Sequence, residues 1–309
     1  MATDNRTLLQ KADLAIANLT SGGLLQPQQT DSFFRIMIKK AVLMNLITVT
    51  PMRGPTERRD KTRFGSHVLK PGTEASALPV GYRSAPDLSF IQLAAKLVKA
   101  EVRLSDEVLE DQIERGEFQN TIVELLAQAV ARDVDYLISQ GDTTSADPLL
   151  AVLNGFIKQG TTNVVAAGGV KLNKGVLRDM LKTMPDEFVD ENLMYLTNRQ
   201  AKVDYKDSLA DRATPGGDAW LATKSDVTYS DYPIKAIPNF PNNLGGGTNE
   251  TRVILTDPKN MLLGVLREVK VKTGEDISAG QMIVVVSMRI DAQYMHEPAS
   301  VLATGVFGV

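Results

Sequence analysis

The stretch from Arg53 to Ser89 constrains this chain more than any other part of it. Its 37 residues include Pro55, Pro71, Pro79 and Pro86, Gly54, Gly65, Gly72 and Gly81, and only seven large apolar side chains. Proline withholds a backbone donor and glycine raises the entropic cost of ordering, so such a segment cannot close a core of its own. Stretches longer than about 12–15 residues without regular structure are uncommon inside compact domains and are usually functional. The excursion returns into Lys96–Leu104, where Val98, Ala100, Val102 and Leu104 alternate with Lys99, Glu101 and Arg103, the period of a half-buried strand. With extended chain expected over Leu46–Pro51 before it, the pattern predicts a long two-stranded arm projecting from the body. An isolated hairpin is marginal in water. The arm therefore needs a bed, and a neighbouring copy of the same chain is the simplest one, through strand-edge pairing or side-chain packing.

The rest of the chain can supply a body. At 309 residues and 43% hydrophobic content it is expected to fold as two linked subdomains. A formal charge of −3 leaves no overall basic field for nucleic acid or anionic membranes. The absence of cysteine excludes disulfides, thiolate nucleophiles and thiolate metal sites. Asp4, Arg6, Lys11 and Asp13 interrupt the beginning of the chain, and no apolar run reaches membrane-spanning length, which points to a soluble protein made in a reducing cytoplasm.

Helical spacing predicts an amphipathic helix over Thr7–Leu19 and a second one capped by Asp31, with Phe33, Phe34, Met37, Ile38 and Ala41 inward. Ser105 opens a short acidic helix to about Glu114. The longest helix follows, Phe118–Ser139. One stripe of it reads Val123, Leu126, Val130, Val134 and Leu137, a second reads Ile122, Leu125, Ala129 and Tyr136, and Gly141 stands at the expected stop. Asp147-Pro148 predicts a helix to about Gln159, and Lys174–Met184 another. A strand at Leu193–Thr197 runs into a helix capped by Asn198, with loops at Thr214–Asp218 and Pro238–Thr248. The last fifty residues turn strand-rich: Arg252–Thr256, a turn opened by Asp257-Pro258, Leu266–Thr273 and Met282–Met295. The continuous apolar run Ile283–Val286 predicts a strand covered on both faces.

Catalytic sets are missing from this pattern. His67 and His296 each lack a second histidine at helical spacing, so solvated or structural roles are expected of them. G-x-S-x-G, S-x-x-K, G-x-x-x-x-G-K-[ST] and G-x-G-x-x-G are all absent, and Gly245-Gly246-Gly247 reads as a surface loop. The acidic groups Glu107, Glu110, Asp111, Glu114 and Asp186, Glu187, Asp190, Glu191 read as helix N-terminal charge and solvated faces before they read as a cation site. No catalytic, cofactor or metal residue is assigned. The basic group Arg58, Arg59, Lys61 and Arg63 sits in the excursion without interleaved aromatics, which favours a protein partner over nucleic acid. With Phe64, Lys70 and Tyr82 it forms the expected inter-subunit contact set.

The order of parts, together with K-L-V-K-A-E-V-R-L-S-D-E-V-L-E-D at 96–111, D-Y-P-I-K-A-I-P-N-F-P at 231–241 and V-V-V-S-M-R-I-D-A-Q-Y-M-H-E-P-A-S-V-L at 284–302, resembles the major capsid proteins of tailed bacteriophages over nearly the whole chain. The resemblance implies an α+β fold in which an extended loop lies over an adjacent subunit. A spine helix and long strands form a peripheral domain, and an axial domain gathers at the axes of pentamers and hexamers. On this chain it implies an N-terminal arm at 1–30, a connection at 31–52, the extended loop at 53–95, the peripheral domain at 96–147, the axial domain at about 148–249, and C-terminal strands at 250–309. It also implies an icosahedral virion shell around double-stranded DNA without sequence-specific contacts, a separate scaffolding protein, a portal and a decoration protein. Cross-linking, which some members use, would draw on Lys70 as a donor, but the reading does not rest on it.

Two other readings compete. An encapsulin-type compartment keeps the fold and packs protein cargo, with the N-terminal helix docking inside. An enzyme would have to work through the acidic groups, for which no catalytic set is visible.

Overall fold

A computed structural model describes residues 41–64, 67–105, 117–210, 227–244 and 249–308. The helices expected at Thr7–Leu19, from Asp31 to residue 40 and at 105–114, with the acidic group at 107–114, lie outside these residues. So do the loop at 214–218 and the glycine run at 245–247.

A short helix α1 (Val42–Leu46) leads into β1 (Thr48–Pro51), then β2 (Thr56–Arg63), β3 (Asp87–Ala94), β4 (Lys96–Ser105) and the long helix α2 (Glu117–Gln140). Next come a single turn α3 (Phe156–Gln159), β5 (Val164–Lys171), α4 (Lys174–Thr183), β6 (Met194–Thr197), α5 (Arg199–Ala210), β7 (Thr228–Tyr229) and β8 (Tyr232–Ala236). The chain closes with β9 (Glu250–Thr256), β10 (Met261–Asp276), β11 (Gln281–Tyr294) and β12 (Ser300–Phe307). A four-stranded sheet has the order β1-β10-β11-β4, a six-stranded sheet the order β5-β12-β9-β6-β8-β7, and β2 pairs with β3 alone.

There are two cores, and the first extends from the four-stranded sheet onto Leu196, Ile254 and Leu302 of the six-stranded one. The α2 helix, about 36 Å long from its 24 residues, buries Leu126, Val130, Val134 and Leu137. They meet Val284, Val286, Met288 and Ile290 of β11 and the inner row Val98, Ala100 and Val102 of β4, with Val123 at the margin. On its other flank Ile122, Ala129 and Tyr136 are half-buried, while Leu125 is 55% exposed. The second core packs Leu177 and Met180 of α4 and Tyr205 of α5 onto Tyr195, Val253, Leu255 and Val301. Asn173 caps α4 by accepting from the amides of Gly175 and Val176, and Asn198 caps α5 by accepting from Ala201 at 2.7 Å.

Several expectations are corrected. The strands flanking the excursion do not pair with each other. β1 and β4 lie at opposite edges of the four-stranded sheet, and the arm's hairpin is built from the excursion's own residues, Thr56↔Ala94 to Arg63↔Asp87. Leu46, expected extended, ends α1. The run Ile283–Val286 is covered on one face only: Val284 and Val286 are buried, whereas Ile283 and Val285 are half-buried on the opposite face. The helix expected from Asp147 breaks into a 3-10 turn at Leu150–Val152 and α3. A Cβ at Gly155 would come within 2.6 Å of the Gly141 nitrogen and 2.8 Å of the Ser139 carbonyl, so the chain must leave helical geometry to pass the end of α2. Gly141 is required there for the same close approach, with 2.4 Å to the Leu153 carbonyl oxygen, rather than for a left-handed cap.

One buried carboxylate ties the body's entry to its long helix. Asp135 of α2, 4% exposed, accepts from the amides of Val42, Leu43 and Met44 at 2.8, 3.1 and 3.2 Å, satisfying the free N–H groups at the start of α1. Burial raises its pKa, and the three amides act against that rise. Asp135→Ala is expected to cost about 2–3 kcal/mol, because three buried donors lose their acceptor at once. Asp135→Asn should recover part of the loss, as read by urea unfolding; equal melts for alanine and wild type would refute the role.

Candidate functional site

The arm and its root are the part of the fold that is not consumed by the body. The β2–β3 ladder pairs eight residues and extends about 27 Å at the antiparallel rise. Beyond it the chain continues through residues 64–86 with a single 3-10 turn at Val80–Tyr82 among the described residues. The arm carries an unusual load of exposed apolar side chains: Leu69 is 94%, Val80 76% and Leu88 74% exposed. Phe64, Val68, Leu78, Tyr82 and Phe90 are exposed as well, so eight of the fifteen exposed large hydrophobic side chains of the described residues lie between 64 and 90.

At the root the hairpin is clamped. Met52, just before β2, and Leu93, near the end of β3, are buried side by side against Gly264 of β10. A Cβ at position 264 would meet the Met52 Sδ at 2.8 Å and the Leu93 Cδ1 at 3.2 Å, so glycine makes the seat. The Met52 amide donates to the Val265 carbonyl at 2.9 Å, and the Ala95 amide donates to Pro55 across the hairpin's base at 2.9 Å. Asp291 of β11, 6% exposed, accepts from the Ala94 amide at 2.7 Å through Oδ2 and from its neighbour Ala292 through Oδ1. Burial pushes its pKa up, with those amides opposing.

A second tie lies along the arm. Lys61 Nζ donates to the Met295 carbonyl at 3.0 Å, and Arg63 pairs with Glu187 at 3.2 Å and with Asp87 at 3.4 Å. His296 is beside this tie, half-buried, its ring 6.0 Å from that of Phe188. Its backbone is fixed by Asn260, which accepts from the His296 amide and donates to its carbonyl. The hollow between these elements is also lined by Asp190, Asp257 and Lys259.

The residues singled out from sequence divide into two groups. Arg58 stacks over the Phe90 ring at 3.9 Å and pairs with Asp60, Arg59 pairs with Glu57, and Lys61 and Arg63 reach the body. These four cations therefore all have partners within their own chain. Phe64, Lys70 and Tyr82 stand exposed toward the tip. His67 is exposed and distant in sequence from the tie that holds His296. Of the second acidic group, Glu187 is taken up by Arg63, and among the described residues no three carboxylates or histidines converge on a metal-sized site. Sequence reading missed Asp291, Asp135 and Gly264. A signal existed for Asp135: between Ala131 and Ile138 at helical spacing, it puts a carboxylate on a buried side of the long helix, which calls for a backbone donor. Asp291 stands out of phase with the alternating apolar row of β11 and carried no such signal.

Two sheet-based cores that continue into each other at the corners β9–β10 and β11–β12, with a clamped and apolar-tipped arm beside them, are the build of a coat subunit of a protein shell. The chain matches the model of the phage capsid family over residues 21–304 and belongs to that family. It is 32% identical over 301 residues, 96% of each chain, to YqbE of Bacillus subtilis (strain 168), named as a prophage capsid protein. Among solved structures it is similar to a chain of the satellite phage P4 procapsid that includes the size determination protein. That match has a TM-score of 0.69 and 13% identity and covers 99% of this chain and 98% of the other. It is also similar to a chain of the holo-SrpI encapsulin complex of Synechococcus elongatus PCC 7942, with a TM-score of 0.61 and 12% identity over 86% of this chain and 87% of the other. The α+β architecture is the phage capsid fold, and the chain is a structural protein of the capsid shell.

The tie at His296 is pH-sensitive by construction. Burial first, then the charges of Lys61 and Arg63, hold its pKa below the ordinary 6.5, and Glu187 opposes them weakly. A depressed histidine pKa means that the released state takes up the proton more readily, so the seated arm is fully stable above about pH 6.5 and loosens as pH falls below it. Amide exchange over residues 59–63, corrected for intrinsic rate, should stay level above about pH 6.5 and accelerate as pH falls below it. His296→Gln should flatten that dependence; an unchanged pH profile in the variant would sink the assignment.

Proposed function

We propose that this chain is the major capsid protein of a phage or prophage particle, assembling in rings of five and six into an icosahedral head that encloses double-stranded DNA. The observation that carries the reading is the arm: fixed at its root by Gly264, Leu93 and Asp291, it holds Leu69, Val80 and Leu88 in water. Burying each of these side chains is worth about 1.5–3 kcal/mol, and the arm gains it only by lying on another copy. Individually modest contacts of this kind become strong when every subunit has several neighbours. The long helix α2 with the four-stranded sheet serves as the peripheral domain, and the six-stranded sheet with α4 and α5 as the axial domain. The chain acts by assembly and not by turnover. A scaffolding protein, a portal and a decoration protein are its expected companions. It is made in the host cytoplasm and resides in the virion.

Purified chain, alone or with its scaffold, is expected to give closed particles of many dozens of copies in negative stain. Replacing residues 64–86 by a short glycine-serine link, or changing Leu69, Val80 and Leu88 together to serine, should leave a folded body with an unchanged melting temperature and no stable shells. Stable closed shells from both variants would refute the arm's role. Protein cargo instead of DNA inside purified particles would favour the encapsulin-type compartment.

A further inference from the structure

Beyond the seat of the arm at Gly264 and Asp291, no element of the described residues covers the face of the four-stranded sheet that turns away from α2, and its composition is one-sided. Register places Ser287 between Lys99 on β4 and Lys270 on β10, and Arg103 opposite Ile283. Val285 stands opposite Lys272 on one side and Glu101 on the other, and Arg289 opposite Leu97. Directly opposed residues share a face, so this one displays five cations, Lys99, Arg103, Lys270, Lys272 and Arg289, against two carboxylates, Glu101 and Asp276. Both lie toward Arg103: Glu101 pairs with it at 2.7 Å, and Asp276 feels its charge. Lys99, Lys270 and Lys272 are exposed and form no ion pair within the described residues. Such a concentration in a chain of net charge −3 is a local field and not a reflection of composition.

The middle of the same face is apolar. Ile283 and Val285 are half-buried and Leu97 is 45% exposed, with no covering element among the described residues. Aliphatic centre and charged border are the anatomy of a protein interface. A phosphate backbone would gain from the cations but nothing from the aliphatic row, and the face offers no aromatic side chain for base stacking. The arm of a second copy is a poor occupant, because residues 53–95 carry seven cations (Arg53, Arg58, Arg59, Lys61, Arg63, Lys70, Arg83) against four carboxylates (Glu57, Asp60, Glu74, Asp87). Size narrows the partner further. Strand β4 gives a length of about 34 Å from its ten residues, and three strands span about 10–14 Å. That area is well below the roughly 800 Å² per side of a standard interface, and suits one helix or one extended strap.

We propose that the open face of β4, β11 and β10 docks an acidic amphipathic segment of a separate protein. The segment lays its apolar residues on Leu97, Ile283 and Val285 and its carboxylates against the bordering lysines and arginines. The inference goes beyond the shell reading and holds whatever the shell contains.

The test titrates a fluorescein-labelled synthetic helix, glutamate-rich on one face and leucine-rich on the other, onto the full-length chain in the assembly state that it adopts. Binding is expected to weaken with added salt, and to fall about tenfold both in the double variant Lys270→Gln, Lys272→Gln and in Val285→Ser. Particle size and melting temperature should stay as in wild type. Unchanged affinity in both variants overturns the proposal. Affinity that responds to the lysines but not to Val285→Ser, with a DNA duplex displacing the peptide, overturns it in favour of a polyanion backbone. Loss of assembly in the lysine variant overturns it in favour of a contact between copies.

Discussion

A missing Cβ at Gly264 is the constraint from which the arm follows. The seat that it opens admits the Met52 sulfur and the Leu93 side chain together, so the two strands of the hairpin leave the body as one unit. Asp291 then consumes the Ala94 amide, and the hairpin departs with its base satisfied and its outer residues unsupported. The direction of the arm is set inside the body, while its stability is left to surfaces elsewhere. That separation is what a shell subunit requires: rigid aim and incomplete burial.

The same logic explains why the long helix is more apolar than its own chain can use. Leu126, Val130, Val134 and Leu137 fill the core, and Leu125 stays exposed on the other flank. A subunit that ended its interactions at its own core would place charge there.

Much of this was legible in the sequence because periodicity reports burial. The alternation at Lys96–Leu104 marked β4, and the double stripe marked α2 to within a residue of each end. The proline and glycine spacing marked the arm as something that could not fold alone. Pairing was not legible, since alternation says which face a strand buries and nothing about which strand lies beside it. The run Ile283–Val286 misled for a related reason: a strand with one buried face and one half-exposed apolar face has the composition of a strand buried twice. Strand β5 was missed because Ala166, Ala167, Gly168 and Gly169 give no alternation, with both glycines at positive φ. The helix expected from Asp147 failed on a tertiary cause, the close passage of Gly155 against Gly141, which no local pattern encodes.

The two cores are joined by corners rather than by a linker. Strand β9 turns into β10 at Asp257–Asn260, and β11 turns into β12 at His296–Ala299, so each sheet is the continuation of the other. Asn260 binds the His296 backbone in both directions, locking the two corners together. Lys61 of the arm reaches the carbonyl of Met295, one residue from that lock, and Arg63 reaches Glu187 beside it. Any change in the angle between the sheets must therefore move the points on which the arm rests. The arm's attitude and the sheets' relative orientation are mechanically one variable, and a ring of neighbours that holds the arm also holds the bend of the subunit beneath it.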